Sequence, residues 1–328
     1  MKPAAVLAPP EARRPALSVV IPVYGEEAVL ARLFERLYRV LDRLGTDYEV
    51  VFVDDGSLDR SPALLAAQHA RRPDVTRVVL LGGNFGQHPA VLAGFAYSRG
   101  ECVITLDADL QNAPEDIPAL LAAVAAGHDY VGTIRSRRLD SAWRRFASRA
   151  MNRIRERLTH IRMTDQGCML RAYHRRIVDQ INACREMNTF VPALGYCFAQ
   201  RPTEITVTHA AREDGASKYS LWRLVQLNYD LMTGFSTVPL QWFSWLGMAV
   251  SLLSGLLVVV LAVRRLWIGP EEGGLFTLFG IAFFMIGLAL FGIGLLGEYV
   301  GRIYQEVRGR PRYVVAAVLE TEPRGTGA

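Results

Sequence analysis

The chain has 328 residues, of which 51% are hydrophobic, and a formal net charge of +5 at pH 7. This length is enough for one soluble domain of ordinary size with further segments beside it. The arginines concentrate in residues 135–157 and near the C-terminus without a nucleic-acid-binding motif, so we do not expect nucleic acid as a partner. Residues 1–15 have no apolar stretch typical of a signal peptide, which predicts a flexible N-terminus over residues 1–16 and a cytoplasmic domain after it.

Strand and helix patterns alternate through the first third of the chain. Apolar, β-rich runs predict strands at residues 17–22, 48–53, 75–81 and 102–106. Helical patterns follow at residues 26–44, 61–71, 88–98 and 114–126. Near-continuous apolar strands separated by helices predict an α/β fold with a mostly parallel sheet and helices on both faces. Ligands of such folds bind beyond the carboxyl ends of the strands, where both acidic clusters of this chain fall.

Two long uncharged apolar runs, residues 242–263 and 275–297, dominate the second half of the chain. Each is long enough to span a bilayer as a helix, and the short linker 264–274 predicts a transmembrane hairpin over residues 241–300. An even number of spans places the N-terminal domain and the C-terminus on the same side of the membrane. Several arginines follow the second span closely, which predicts that this side, including the tail 301–328, is cytoplasmic.

The segment before the first span has one polar stripe, formed by Arg223, Gln226 and Asp230, and is otherwise apolar. This pattern is typical of a helix that lies in the membrane interface. An ordinary amphipathic helix of the soluble domain would have the same periodicity, and the neighbouring spans favour the interfacial alternative. We therefore expect interfacial juxtamembrane helices over residues 216–240.

The central chemical signal is the sequence Asp107-Ala108-Asp109, which ends a predicted buried strand. Carboxylates two residues apart on an extended segment project to the same side, so they can serve one metal ion. Mg²⁺ or Mn²⁺ prefers such oxygen ligands and bridges to a diphosphate, and Gln111 can add a carbonyl oxygen. A divalent cation there would stabilise the charge that builds on a departing nucleoside diphosphate.

A second acidic pair, Asp54 and Asp55, follows another predicted strand. Acidic residues at strand ends of nucleotide-binding folds accept hydrogen bonds from a base N–H or from ribose hydroxyls. A turn or helix-capping role before the next helix is an equally good alternative. The chain contains neither a Walker A loop nor a GxGxxG sequence, which argues against a P-loop NTPase and a Rossmann dehydrogenase.

Basic residues follow the predicted sheet. Guanidinium groups bind phosphate in a bidentate fashion, so Arg135 and Arg144 are candidate ligands of a donor diphosphate or a lipid phosphate. Ser148 lies four residues after Arg144 and would share its helix face. A solvated basic face attracted to anionic lipid is the alternative. Asp165 lies in a polar turn and can orient an acceptor or act as a base, although a phosphate that is already ionised needs no strong base.

These motifs, in this order, resemble those of family 2 glycosyltransferases of the GT-A fold, and within that family the polyprenyl-phosphate glycosyltransferases. The resemblance runs over nearly the whole chain, in the stretches VIPVYGEEA (20–28), VDDGS (53–57), NFGQH (84–88), TLDADLQN (105–112), DQGCMLRAY (165–173), SKYS (217–220) and LLGEYVGRIY (295–304). The GQH and QGCMLRAY sequences and the tail sequence RPRY are most similar to members that transfer 4-deoxy-4-formamido-L-arabinose to undecaprenyl phosphate.

The resemblance implies roles for individual residues. The nucleotide-sugar site would comprise Pro22, Tyr24, Glu26, Asp54, Asp55, Asp107, Gln111, Arg212 and Lys218, the last two in a loop that closes over the donor. The metal ligands would be Asp107, Asp109 and Gln111. The lipid-phosphate site would comprise Arg135, Arg144 and Ser148. The catalytic residues would be Asp165, at the acid/base position, and Asp109.

The resemblance also implies a fold and an assembly. A GT-A, Rossmann-like domain would occupy residues 17–215, and the enzyme would be a multi-pass protein of the bacterial inner membrane. Relatives invert the anomeric centre and often assemble as tetramers, so we expect both here. One departure from the family pattern is Gly25, where members usually carry Asn, which affects the detailed contacts of that loop.

We therefore expect sugar transfer from a UDP-sugar, with UDP-4-deoxy-4-formamido-L-arabinose as the leading donor, to undecaprenyl phosphate for lipid A or envelope glycan modification. A bactoprenol glucosyltransferase and a dolichol-phosphate-mannose-synthase-like enzyme are alternatives on the same scaffold. A processive polysaccharide synthase would carry more spans and a QxxRW segment, which the sequence does not contain. A non-catalytic membrane scaffold would be expected to lose the DxD sequence, and this chain retains it.

Overall fold

The computed structural model describes residues 14–135, 163–165, 167–184, 190–207, 238–268 and 275–321. The chain divides into two compact units. One unit comprises Met1–Phe146, Ile161–Ser217 and Pro311–Ala328, and the other comprises Ala147–His160 and Lys218–Arg310.

The first unit begins with alternating strands and helices, as the sequence predicts. The elements are β1 Leu17–Val23, α1 Glu27–Leu41, β2 Tyr48–Asp54, α2 Ser61–Arg71, β3 Thr76–Leu81, α3 Gln87–Tyr97, β4 Cys102–Thr105, a 3₁₀ turn Pro114–Asp116 and α4 Ile117–Ala125. Strands β4, β1, β2 and β3 lie side by side and are parallel. Helix α1 ends earlier than the predicted residue 44, because the chain turns at Asp42 toward Gly45, whose φ is +66°.

The rest of the sheet was not predicted from sequence. The further elements are β5 Tyr130–Arg135, β6 Arg171–His174, α5 Arg175–Ala183, α6 Val191–Phe198, β7 Pro202–Val207 and β8 Val315–Leu319. Among the described residues the strands form one sheet in the order β7-β5-β6-β4-β1-β2-β3-β8. Strand β6 is antiparallel to both β4 and β5, and β8 is antiparallel to β3. The sheet is therefore mostly parallel, with antiparallel pairs at β6 and at the β8 edge.

The core lies between the parallel strands and the helices that cover them. The buried face of α1 presents leucines at helical spacing, Leu30, Leu33, Leu37 and Leu41, none of which is exposed. Helix α3 lies very close to β1 at Gly94, where an added Cβ would lie 2.2 Å from Val20 Cγ1. Glycine at this position therefore lets α3 pack closely on β1 and β2.

Residues 301–328, predicted as a cytoplasmic tail, contain regular structure that the sequence reading did not anticipate. Strand β8 pairs with β3, and Gly82 N donates to Val314 O over 2.8 Å just beyond the end of β3. Glu320 follows β8 and forms ion pairs with Arg77 and Arg99, each 3.0 Å long. The C-terminal segment therefore completes the edge of the sheet, because β3 would otherwise leave its backbone groups unpaired.

The second unit contains two long helices, α7 Val238–Ile268 and α8 Leu275–Val307. Their rings Phe243 and Phe291 pack with centroids 5.8 Å apart, beside Gly292. Over the described residues, the segment Ile281–Val307 is long and apolar enough to cross a membrane, with a mean hydropathy of 2.1. The first predicted span, which lies within α7, and the orientation of the hairpin stay predictions. The interfacial helices predicted before α7 lie outside the described residues up to residue 237.

Candidate active site

The loops after β1 and β2 are tied together by side chains of the second loop. Gly25 N donates to Ser57 Oγ over 3.0 Å, and Glu26 N donates to Ser61 Oγ over 3.1 Å. Gly25 has a φ of +68°, a conformation that glycine and asparagine adopt more readily than other residues. Glycine therefore suits this position, as would the asparagine that the family resemblance leads us to expect here.

Pro22, Tyr24 and Glu26, which were predicted to belong to the nucleotide-sugar site, lie in and just after β1 at this end of the sheet. Pro22 is partly buried in β1, opposite Val53 of β2. Tyr24 follows the strand with 51% of its side chain exposed, so its ring is available to a planar ligand. The structure thus brings these residues to the carboxyl end of β1, beside Asp54.

Asp54 ends β2 and is 2% exposed. Its Oδ2 accepts a hydrogen bond from Ser57 N over 3.1 Å, whereas its Oδ1 has no hydrogen-bond partner among the described residues. A buried carboxylate oxygen without a partner is costly in the free protein. It is therefore suited to accept a hydrogen bond from a ligand N–H or hydroxyl.

Asp55, the next residue, was also predicted to contact the nucleotide and is also buried, but both of its carboxylate oxygens accept hydrogen bonds from the protein. Its Oδ1 accepts from Phe85 N and its Oδ2 from Gly86 N, both over 2.8 Å. Burial raises the pKa of Asp55, and these two backbone hydrogen bonds oppose the rise. Both oxygens accept from the loop after β3, a role that differs from the turn or helix-capping role before α2 that was the alternative from sequence.

Asp107 and Asp109 lie just beyond β4, in a turn that includes Leu110. Gln111 N donates to Asp109 Oδ1 over 3.0 Å, which closes this turn. Leu110 has a φ of +58°, the one non-glycine residue of the described chain with a positive φ. Such strain at a ligand-binding turn is a common feature of functional sites. The turn holds both aspartates at the carboxyl edge of the sheet, as predicted.

Asp107 lies in a negatively charged environment. Burial raises its pKa to about 7, and Asp109 and Glu26 add to the rise. A hydrogen bond from Gln87 and the charge of Arg135 lower this pKa. Asp107 is thus influenced by Glu26 and Asp109, which were predicted to bind the donor or the metal, and by Arg135, which was predicted to bind the acceptor. Burial and the neighbouring carboxylates both disfavour the ionised form of Asp107, and a bound cation would favour it.

The residues present fit a hard divalent cation. The donors are carboxylate oxygens, with the amide of Gln111 next to them in sequence. No group of three or more His, Cys, Asp or Glu side chains in the described part of the chain is close enough to hold a metal ion alone. Two carboxylates would leave positions for water and diphosphate oxygens, a pattern typical of Mg²⁺ sites.

A set of residues that sequence reasoning missed holds Asp107 in place. Gln87 Nε2 donates to Asp107 Oδ1 over 2.5 Å, and Asn112 Nδ2 approaches Oδ2 at 3.4 Å. Asn112 is fixed in turn, since Cys168 Sγ donates to its Oδ1 over 3.3 Å. Gln87 lies in the NFGQH stretch and Asn112 in the TLDADLQN stretch. The position of Asn112 close to the two aspartates was the available sequence signal, whereas Gln87 is brought to them by the fold.

Arg135 and Asp165, predicted to serve the acceptor, form an ion pair with each other. Arg135 Nε lies 2.6 Å from Asp165 Oδ2, and Nη2 lies 2.8 Å from Oδ1. Arg171, which sequence reasoning also missed, is fully buried and donates through Nη2 to Asp165 O over 2.6 Å. Arg144, Ser148, Arg212 and Lys218, the other predicted site residues, lie outside the described residues.

A cleft of about 1080 Å³ lies on the opposite side from the acidic residues, at the amino ends of the parallel strands. Its lining includes Arg77, which forms ion pairs with Glu49 and Glu320, also in the lining. None of the predicted site residues lines this cleft. The chemistry that the sequence predicts therefore lies at the carboxyl edge.

Comparison with known proteins gives consistent matches. A profile of the family described as Glycosyl transferase family 2 matches residues 18–181. The undecaprenyl-phosphate 4-deoxy-4-formamido-L-arabinose transferase of Serratia proteamaculans (strain 568) is 49% identical, over 94% of this chain and 95% of that protein. The protein of the same name from Yersinia pestis (strain Pestoides F) is 50% identical, over 93% of this chain and 94% of its own.

A remote structural likeness also exists. The crystal structure of Mycobacterium tuberculosis glucosyl-3-phosphoglycerate synthase has a TM-score of 0.47 at 17% identity, covering 67% of this chain and 78% of its own. This likeness is too distant to bear on the site. The sheet order and the family profile together define a glycosyltransferase domain of the GT-A type. The chain belongs to glycosyl transferase family 2, which confirms the fold and family predictions.

Proposed function

We propose that this chain transfers 4-deoxy-4-formamido-L-arabinose from its UDP derivative to undecaprenyl phosphate, for modification of lipid A or another envelope glycan. The observation that carries the proposal is the identity of 49–50% to curated transferases of that name over 93–94% of this chain. Identity of this extent includes both the catalytic domain and the C-terminal helices, so it applies to the acceptor as well as to the donor.

The residues of the donor edge suit a nucleoside diphosphate sugar. Asp54 Oδ1 would accept a hydrogen bond from the base, and Tyr24 would pack against its ring. Asp107 and Asp109, with Gln111 beside them, would hold Mg²⁺ or Mn²⁺. Bound there, the cation would supply Lewis-acid stabilisation of the departing diphosphate.

The acceptor chemistry asks little of the protein beyond alignment. The phosphate of a polyprenyl phosphate is ionised at neutral pH, so the enzyme need not remove a proton before the oxygen attacks the anomeric carbon. Attack from the face opposite the diphosphate would invert the anomeric centre. Binding and orientation of the two substrates would then provide most of the rate enhancement.

We place the enzyme in the bacterial inner membrane as a multi-pass protein, with the catalytic domain and the C-terminus in the cytoplasm. The apolar segment Ile281–Val307 supports membrane association. Arg302, Arg308, Arg310 and Arg312 lie at its C-terminal end, and their positive charge favours the cytoplasmic side. Tetramer formation remains an expectation from the family resemblance.

The test is sugar transfer to undecaprenyl phosphate in detergent, with radiolabelled UDP-4-deoxy-4-formamido-L-arabinose, UDP-glucose, UDP-N-acetylglucosamine and GDP-mannose as separate donors. Each reaction is run with Mn²⁺ and with EDTA. We expect labelled lipid from the formamido-arabinose donor alone, and none with EDTA. Labelling from UDP-glucose or GDP-mannose instead would assign the chain to one of the related transferase classes. No lipid product from any donor would favour a glycan polymerase or a non-catalytic scaffold.

A further inference from the structure

The ion pair between Arg135 and Asp165 is unusually complete. Arg135 is the last residue of β5, and its Nε and Nη2 groups bind the two carboxylate oxygens of Asp165 in a fork at 2.6 and 2.8 Å. Asp165 is 1% exposed, whereas 24% of the Arg135 side chain is exposed. The carboxylate is therefore enclosed by protein, and the guanidinium retains a solvent-accessible part.

Two backbone amides also approach this carboxylate. Gly167 N donates to Oδ1 over 3.1 Å, and Arg135 N approaches Oδ2 at 3.4 Å. Each oxygen of Asp165 thus receives donors from both a side chain and the backbone. A carboxylate held by several N–H donors is stabilised in its ionised form and is a poor proton acceptor.

The surroundings are shaped to hold the pair in one arrangement. An added Cβ at Gly167 would lie 2.9 Å from Arg135 Nη2, so glycine at this position gives the guanidinium room. The buried Arg171 fixes the Asp165 carbonyl from the other side, and its own Nε donates to Cys168 O over 2.8 Å. The loop before β6 is therefore built around the pair.

The charge of Arg135 also acts on the donor edge. The Arg135 guanidinium and the Asp107 carboxylate interact electrostatically across the ends of β5 and β4. An acceptor phosphate must come close to the diphosphate-linked sugar that the Asp107 site would hold. A fixed cation between the two would attract this phosphate and orient it for attack.

We infer that Asp165 is a positioning residue that takes no proton in the reaction: it holds the Arg135 guanidinium in place for the acceptor phosphate. The inference rests on the proposed function and assigns Asp165 a role that its sequence position left open. A bidentate partner restricts the long arginine side chain before the acceptor arrives, so less conformational entropy is lost on binding.

The test compares Asp165→Asn, Arg135→Ala, the double variant and Arg135→Lys in the full-length protein in detergent. Steady-state transfer gives kcat and KM for each substrate between pH 6 and 9, and calorimetric binding of dodecyl phosphate gives acceptor affinity without turnover. The control is Asp129→Asn, because Asp129 forms a similar 2.6 Å pair with Arg176 at the start of the same strand. We expect this control to leave dodecyl phosphate binding unchanged.

The expected result has three parts. Asp165→Asn raises KM for undecaprenyl phosphate and weakens dodecyl phosphate binding by on the order of tenfold or more, and leaves KM for the UDP-sugar unchanged. The shape of the pH profile stays that of the wild type. The double variant is no worse than Arg135→Ala alone, because Asp165 acts through Arg135.

Other results would overturn the inference. A base role for Asp165 predicts a fall in kcat of about 10²–10⁴-fold, loss of the acidic limb of the pH profile, and a further loss when Asp165→Asn is added to Arg135→Ala. Wild-type acceptor affinity in Asp165→Asn would also contradict it. Should Asp165→Asn fail to fold, Arg135→Lys keeps the charge but loses the fork, and normal dodecyl phosphate binding by that variant would refute the inference. Absence of sugar transfer by the wild type would refute the proposed function instead, and the binding comparison would still decide this point.

Discussion

Aspartates lie at the end of β2, just beyond β4 and in the loop before β6, but their hydrogen bonding differs. Asp54 Oδ1 has no partner in the described part of the chain, and Asp107 is held by one short and one long side-chain hydrogen bond. Asp165, in contrast, has both oxygens bound by a guanidinium fork and backbone amides. Asp54 and Asp107 therefore keep hydrogen-bonding capacity for a ligand, whereas the oxygens of Asp165 are engaged by donors of the protein itself.

The comparison also separates neighbours in sequence. Asp54 and Asp55 are adjacent and similarly buried, yet both carboxylate oxygens of Asp55 accept hydrogen bonds from backbone N–H groups of the loop after β3. Residue type and burial therefore do not identify a ligand contact here. We expect the distribution of partners over the carboxylate oxygens to be the better guide.

The largest expected effect is on the metal site. Asp107→Asn should lower kcat by about 10³-fold or more, because a neutral amide binds a divalent cation weakly and leaves the diphosphate charge uncompensated. Folding should be preserved, since the side chain contributes to no apolar packing. Transfer assays and thermal unfolding in detergent check this. The control is Asp74→Asn, an exposed aspartate before β3 at the other edge of the sheet, which should remain fully active.

The adjacent aspartates should give opposite results. Asp54→Asn should raise KM for the UDP-sugar by about 10–100-fold, the value of a hydrogen bond to a charged group, with little loss of stability. Asp55→Asn should lower the free energy of unfolding by about 1–3 kcal/mol, because its amide N–H would face a backbone N–H. Donor kinetics and unfolding by denaturant distinguish the two. Loss of stability in Asp54→Asn with normal donor KM would reverse the assignment.

The pH dependence of cation binding sharpens the description of Asp107. Its pKa is raised to about 7, mainly by burial, so the metal-free folded state keeps a proton that the unfolded chain releases near pH 4. The stability of the metal-free protein should therefore fall as pH rises from about 4 to 7. Mn²⁺ affinity should rise about tenfold per pH unit up to about pH 7 and then level off. Calorimetric titration between pH 5.5 and 8.5 measures this, and a flat affinity would contradict it.

The smallest expected effect concerns Gly25. An added Cβ meets no atom within 4 Å, so the φ of +68° alone determines the cost of substitution. Gly25→Ala should lower the free energy of unfolding by about 1 kcal/mol, and Gly25→Asn by less, because asparagine adopts this conformation more readily. Thermal unfolding of the two variants gives the comparison. Equal losses would show that the loop is sensitive to something other than φ.

The sequence predicts the parallel part of the sheet, strands β1 to β4, well. Strands β1 to β4 are apolar runs separated by helical patterns, so local periodicity identifies both the elements and the edge where Asp54 and Asp107 lie. Strand β6 has only four residues and contains Arg171, whose burial depends on acceptors from Tyr130, Cys168 and Asp165. Local patterning cannot indicate such compensation.

Pairing of distant segments accounts for the rest of what was missed. Strand β8 follows the long apolar helix α8 in sequence, yet it pairs with β3, more than 200 positions earlier in the chain. The Arg135–Asp165 pair likewise joins two motifs that had been given separate roles. Motif spacing identifies candidate residues, whereas the partners of each side chain decide what the residue does.

The most direct test of this division is equilibrium binding of UDP, with and without Mn²⁺, by the wild type, Asp54→Asn and Asp107→Asn. The two acidic strand ends are expected to serve one donor site with separate tasks, base recognition by Asp54 and cation binding by Asp107. Mn²⁺ should strengthen UDP binding to the wild type by about tenfold or more. Asp54→Asn should weaken binding by the same factor in both conditions, and Asp107→Asn should abolish the gain from Mn²⁺ alone. An undiminished Mn²⁺ gain in Asp107→Asn, or loss of that gain in Asp54→Asn, would contradict the account.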